Sequence, residues 1–167
     1  MGAGTIIATG IAIILLIITG YIIIGGIIST SRIVVMAQQA AAQQESQMLH
    51  TRIEILNAST NTSSFQTFIE VKNTGSEVVG NFDDMDVYLL QNGVPYMYMN
   101  QSGPLNWTYT ICSDNLTYIN CEDLVNPGLL DPDEVANITV PYDPTRGTPT
   151  WVKVTTANGV YDSAYTS

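Results

Sequence analysis

The sequence predicts an all-β, immunoglobulin-like antiparallel sandwich preceded by one long N-terminal helix, and three observations predict it. The chain opens on a run without a charged side chain, from Met1 to Ser31. The stretch from Ser29 to Thr51 then contains neither proline nor glycine and is rich in Ala, Gln and Met. From Arg52 onward apolar residues recur at every second position, interrupted by turn sequences about every ten residues. The expected organisation is a transmembrane helix over residues 1–30, a helical stalk over 31–51 and an extracytoplasmic β-sandwich domain over 52–167.

The first element follows from the cost of exposing backbone to lipid. Residues 6–28 are apolar apart from Thr9, Thr19, Tyr21 and four glycines. About 20 such residues cross a hydrocarbon core, and a helix satisfies every backbone polar group within one segment. Ile6, Ile11, Ile14, Leu15, Ile18, Ile22 and Ile28 are the expected anchor residues. A cleaved signal peptide is the competing reading, because Gly25, Gly26 and Ser29 are small enough for a cleavage site. Retention is favoured by the lack of Lys or Arg ahead of the run, and by a length beyond the roughly 7 to 15 residues of a signal core. Gly4, Ala8 and Ala12 fall four apart and form a small-residue stripe that permits close approach of a second membrane helix, although both residue types are common in such helices anyway. Arg32 taken alone biases the distal part toward the cytoplasm. One arginine is outweighed by the sequons, cysteine pair and strand pattern described below, which favour the outside.

The stalk continues the helix, since Ala, Gln and Met are good helix formers. Ile27, Val34, Ala41 and Met48 form one row at sevens, with Ile28, Val35, Ala42 and Leu49 beside it, the spacing of a coiled-coil seam. Fifty helical residues reach roughly 75 Å at about 1.5 Å each. Small alanines at the seam limit the area it buries, so self-association through the stalk is weak at most. A helix lying against its own β-domain is the alternative.

Strands are expected near Ile53–Leu56, Phe65–Lys72, Asp84–Leu89, Val94–Met99, Trp107–Cys112, Leu116–Cys121, Val135–Val140, Trp151–Thr156 and Val160–Tyr165. Asn73-Thr74-Gly75, Pro127-Gly128 and Asp131-Pro132-Asp133 are turn sequences, and Asn92-Gly93 and Asn158-Gly159 predict type I′ hairpins because both residue types tolerate positive φ. No amphipathic helix interrupts the strands, which argues a sandwich with Trp107 and Trp151 in its core, a ligand-stacking role for these rings being the alternative.

From Ile53 to the end three bases stand against fourteen acids, a formal charge of −11. Such a surface repels phosphate, which excludes nucleic-acid binding. Cys112 and Cys121 flank Asn115 in an expected hairpin. A disulfide between them would contribute about 2 to 3 kcal/mol in the chain-entropy model, two buried thiols being the alternative. Six Asn-x-Ser/Thr triplets, at Asn57, Asn61, Asn100, Asn106, Asn115 and Asn137, fit an exposed domain carrying N-linked sugar, with Asn137 mid-strand.

Chemistry is sparse. The single histidine, His50, sits on the stalk, so no Ser/His/acid set can form, and neither a glycine-rich phosphate loop nor a His-Glu-x-x-His motif is present. No enzymatic activity and no cofactor are expected. Asp83, Asp84 and Asp86, with Asp131, Asp133 and Glu134, offer oxygen ligands for calcium but lack an EF-hand pattern, and a solvated acidic loop is the simpler reading.

Met1-Gly2 before an uncharged helix, Thr51-Arg52-Ile53-Glu54-Ile55-Leu56-Asn57-Ala58-Ser59, Ile69-Glu70-Val71-Lys72-Asn73-Thr74-Gly75-Ser76, Asp84-Met85-Asp86-Val87-Tyr88 and Trp151-Val152-Lys153-Val154-Thr155-Thr156-Ala157-Asn158-Gly159-Val160 together resemble the FlaF/FlaG accessory proteins of the archaeal flagellum (archaellum). The start and the stalk-to-strand junction are nearer FlaF (ArlF) than FlaG (ArlG). The resemblance implies a single-pass protein of the cell membrane with its sandwich in the pseudoperiplasm, acting as a stator that binds S-layer glycoprotein. It also implies self-association and a FlaG-like partner. Family members often carry Leu-x-Pro-Gly-Glu before a late strand, where this chain reads Leu130-Asp131-Pro132-Asp133-Glu134. Lattice contact is expected on sandwich edge strands, whose unpaired backbone groups offer hydrogen bonds. A third reading is a membrane-bound sugar- or solute-binding sandwich, which needs a pocket; the main alternative is an extracellular filament subunit, an archaellin or type IV pilin-like protein polymerised through its N-terminal helix. Against it stand the lack of a basic leader and Thr at position 5.

Overall fold

The computed structural model describes residues 2–98, 106–113, 123 and 125–167. One helix, α1, runs from Ala3 to His50. Its interior glycines, each worth about 1 kcal/mol against helix in water, are ordinary in a helix solvated by lipid. The chain forms two compact units, residues 1–44 and 45–167. The last helical turn, from Glu45, therefore belongs with the β-domain.

That domain holds β1 (Ile53–Asn61), β2 (Gln66–Asn73), β3 (Asp86–Gln91), β4 (Val94–Tyr98), β5 (Thr108–Cys112), β6 (Val135–Pro141), β7 (Pro149–Thr155) and β8 (Tyr161–Tyr165). One sheet has the order β1-β2-β6-β5 and the other β4-β3-β7-β8. Every pair is antiparallel. The strands are shared between the two sheets as in an immunoglobulin-like sandwich. The strand expected over Leu116–Cys121 lies outside the described residues.

Alternation decides what is inside. Val87 and Leu89 on β3 and Val152 and Val154 on β7 have no exposed surface, and they share one core with Ile69, Val71, Ile138 and Val140 of the other sheet. Trp107 fills the core with no exposure, beside Tyr109, which stacks on Phe82 at 4.0 Å between ring centroids. Trp151 does not join them. It is half-buried and absent from the core cluster, because its neighbours Val152 and Val154 hold the inward positions of β7. The expectation of two core tryptophans is thus corrected to one.

Asn92 and Gly93 take φ of 49° and 78°, the two positive values a type I′ hairpin requires. Asn158-Gly159 does not form that turn. Only Gly159 is at positive φ (88°), and its N–H donates to Thr156 O. The Asn158 side chain is engaged elsewhere, its Nδ2 donating to Thr51 Oγ1 at 2.8 Å.

That bond belongs to a clamp on the end of α1. A helix leaves its last four carbonyls without intrahelical partners. Here His50 O accepts from Ser76 N (2.9 Å) and Glu77 N (3.2 Å), and Arg52 O, just beyond, accepts from Thr74 N (2.8 Å) and Gly75 N (3.0 Å). Asn73, fully buried, shapes the donor loop: its Nδ2 donates to Glu77 O and Leu130 O, and its Oδ1 accepts from Gly75 N. A Cβ at Gly75 would sit 2.5 Å from both Arg52 N and His50 O. Gly75→Ala is therefore expected to break about three of these bonds and to cost about 3 kcal/mol. In detergent, denaturant unfolding should show the loss and trypsin should cut faster after Arg52. Gly10→Ala, where a Cβ meets nothing within 4 Å, is the control. Equal stability and equal cleavage in the two variants would refute the clamp.

Candidate functional site

Nothing among the described residues covers the apolar helix. Ile11, Ile14, Leu15, Ile18 and Ile22 are 49–65% exposed, and the helix reaches a mean hydropathy of 2.8 over its most apolar window, enough in length and composition to cross a membrane. The side chains of Ile6 and Ile28 lie outside the described ones. Two hydroxyls in or next to this run return their bonds to the helix backbone: Thr19 Oγ1 donates to Leu15 O and Thr30 Oγ1 to Gly26 O, both at 2.9 Å. Gly4, Ala8 and Ala12 are exposed along one side of it.

The sequons do not share one environment. Asn57 and Asn61 are exposed on β1, an outer strand of its sheet. Asn61 Oδ1 accepts from Ser63 N and Ser64 N in an Asx turn. Asn106 is half-buried. Asn137 lies in β6, between β2 and β5, with Nδ2 donating to Cys112 Sγ at 3.1 Å. Asn100, Asn115 and Cys121 lie outside the described residues, and Cys112 is not a free thiol.

The acids considered for calcium are occupied differently. Asp133 pairs with Lys72 at 2.9 Å. Asp84 accepts from Asn81 Nδ2. Asp131 and Glu134 are buried, Glu134 taking bonds from Ser113 Oγ and Asp131 N while Asp131 takes one from Asn126 Nδ2. Among the described residues no three or more His, Cys, Asp or Glu side chains are placed to hold a metal ion.

The sandwich edges are unequal. Where β1 and β8 meet, Thr60 N donates to Ser167 O (3.1 Å), Ser167 N to Ala58 O (3.0 Å) and Ile55 N to Asp162 Oδ2 (2.7 Å). Those edges close on each other. β4 carries Pro95, which has no N–H to offer an incoming strand.

The two outer faces differ more than the edges. On the first sheet cross-strand neighbours read Asn57, Glu70, Asn137, Thr110 in one row and Ser59, Phe68, Thr139, Thr108 in the next. Asn57, Ser59, Phe68, Glu70, Asn137 and Thr139 of these rows line a recess of about 260 Å³ with amides, hydroxyls, a carboxylate and a single ring. On the second sheet one row reads Pro95, Leu90, Trp151, Tyr165, the next Met97, Tyr88, Lys153, Ser163, and the third Asp86, Thr155, Tyr161. Tyr165 is 83% and Tyr161 61% exposed. Lys153 Nζ sits 3.9 Å from the centre of the Tyr161 ring. The edge-strand expectation overlooked this face because it assigned both faces of each sheet to the core.

Comparison with known proteins places the chain. It is 28% identical over 164 residues to an uncharacterized protein of Archaeoglobus fulgidus, covering 98% of this chain and 95% of that one. Among solved structures it is similar to the archaellum periplasmic stator protein FlaG from Sulfolobus acidocaldarius, with 18% identity, a TM-score of 0.47, and 68% of this chain and 97% of that chain covered. It is likewise similar to the complex of the stator proteins FlaF and FlaG from the same organism, with 21% identity, a TM-score of 0.47, and 68% and 87% covered. The model of the archaeal-type flagellin family matches residues 2–165, and the chain belongs to that family.

Proposed function

We propose that this archaellum-related chain is a membrane-anchored, non-enzymatic stator component whose sandwich grips the S-layer outside the cell. One observation carries the reading. The helix is apolar on every side from residue 6 to residue 28, a length of about 35 Å at 1.5 Å per residue, and it meets its first charge at Arg32 and turns polar from Gln38 within the same unbroken helix. That length is the thickness of a bilayer core plus a small margin. A stator must resist torque, so it needs an anchor, a spacer and a domain that grips a fixed lattice. On this reading its partners are membrane lipid, S-layer glycoprotein, a FlaG-like chain and a second copy along the stalk. Closer kinship with FlaF than with FlaG is part of the proposal and rests on the residues quoted above for that resemblance.

The flagellin-type family favours a second reading, a filament subunit whose helix leaves the membrane and joins a filament core. Shearing separates the two. A stator stays with the envelope when filaments are sheared from cells, and N-terminal sequencing finds its start unprocessed. Recovery of the chain in purified filaments with a processed start would replace the first reading by the second.

Outside the cell the sequons become usable, and the structure ranks them. Transfer of sugar needs a free, accessible amide nitrogen. We expect Asn57 and Asn61 to be glycosylated and Asn137 to be bare in protein purified from its own cells, as read by glycopeptide mass spectrometry. Sugar on Asn137 with none on Asn57 or Asn61 would contradict this ranking, and no sugar anywhere would argue against the outward placement. The Cys112–Cys121 disulfide belongs to the same proposal.

A further inference from the structure

We propose that the outer face of the β4-β3-β7-β8 sheet binds neutral oligosaccharide, with Trp151 and Tyr165 as stacking rings and Lys153, Ser163 and Thr155 as partners for sugar hydroxyls. The inference deepens the stator reading and rests on it, since the sandwich must face the outside to meet such a ligand.

The contrast between the two outer faces is the starting point. Exposed aromatic surface on a soluble domain marks an interaction site when it is contiguous and rimmed by polar groups. The first sheet fills its outer face with Asn, Ser, Thr and Glu70 around Phe68. On the second sheet the register sets Trp151 directly opposite Tyr165 on neighbouring strands, and Trp151 opposite Leu90 on the other side. Side chains so placed stand about 5 Å apart along the backbone, so that one ligand can meet both rings. Each Tyr and Trp also carries a polar end that bonds to hydroxyls.

Charge chooses among occupants. Lys153 stands in the middle row of the face, between Tyr88 and Ser163. The centre of a protein–protein interface is dry and depleted of charge, and desolvating an ammonium without a carboxylate partner is costly. Sugar hydroxyls replace the water of that ammonium without demanding a counter-charge. A second copy, bringing another domain of formal charge −11, is repelled, as is an acidic sugar. The neutral glycan is left. None of β3, β4, β7 and β8 contains a sequon, and the acceptors expected to carry sugar, Asn57 and Asn61, stand on the other sheet.

The test uses the full-length chain in detergent and the oligosaccharides released from purified S-layer glycoprotein of the same cells, split by anion exchange into neutral and acidic pools. Trp151 is half-buried and Trp107 has no exposed surface, so stacking on the former shifts tryptophan emission while the latter stays constant. The neutral pool should give a saturable blue shift. Tyr165→Ala, at the most exposed position, and Trp151→Ala should each weaken S-layer capture about tenfold. Phe68→Ala on the opposite face should leave it unchanged, and chemical deglycosylation of the S-layer should abolish it. Three results would overturn the proposal: binding confined to the acidic pool, no shift with either pool, or capture that survives both deglycosylation and Tyr165→Ala. If Tyr165→Ala instead turns a dimer into a monomer and leaves capture intact, the face joins two copies and the proposal also fails. All of these leave the stator reading standing. That reading falls separately, if the wild-type chain leaves with sheared filaments.

Discussion

The inward positions of β3 and β7 govern this domain. Val87, Leu89, Val152 and Val154 are the fully buried aliphatic residues of the two central strands of one sheet, and each contributes roughly 1.5 to 3 kcal/mol by leaving water. A strand slipped by one residue exchanges its faces. On β7 that slip would bury Lys153 and expose both valines. The ammonium would lose its water and its place over the Tyr161 ring while two valines entered water, so the slipped register is several kcal/mol worse. The outward row is therefore as firmly specified as the inward one. Leu90, Trp151 and Tyr165 align across three strands because the valines beside them have no alternative place.

A second constraint acts at the end of α1. Orphan carbonyls at a helix terminus are ordinarily met by water or by a glycine cap. In this chain the donors for His50 O come from the loop after β2, and that loop is held by the buried Asn73 amide, which also reaches Leu130 O across a separation of 57 residues. Helix end, loop and the segment before β6 share one hydrogen-bond network. Load arriving along the last turn of the helix is passed to the β-domain through backbone bonds of several segments, not through a single free linker. Asn158 to Thr51 adds a contact from the β7–β8 connection.

Most of this was legible in the sequence for a simple reason. The long helix has no competitor once a run is uncharged and apolar on all sides, and period-two alternation places strands wherever one face is buried, as with Met85, Val87 and Leu89 or Thr67, Ile69 and Val71. The failures have the same origin. Trp151 reads as core by size, although Lys153, two residues on and so on the same side of the strand, already marks that side as outward. Asn158-Gly159 reads as a type I′ turn by composition. Its outcome depends on Thr51, more than a hundred residues away, which no local rule can see. The Gly75 contact is long-range in the same sense. A glycine beside Asn and Thr signals a turn, and only the assembled fold reveals that a helix end fills the space where its side chain would be.

The proposed sugar face makes mechanical sense only with the anchor. Stacking of one or two rings on a shallow platform is a weak interaction, worth about 0.5 to 1.5 kcal/mol per ring beyond the area it buries. A free domain of that affinity would hold nothing against torque. Fixing the domain to the membrane confines it to a thin layer beneath its target, where a tether of this kind raises the effective concentration to the millimolar range and turns weak binding into near-constant occupancy. On that proposal the helix supplies permanence and the face supplies grip. Dividing the task in this way also explains why an acidic, exposed domain keeps a row of aromatic side chains in water: the tether, not the affinity of any single contact, decides how long the domain stays in place.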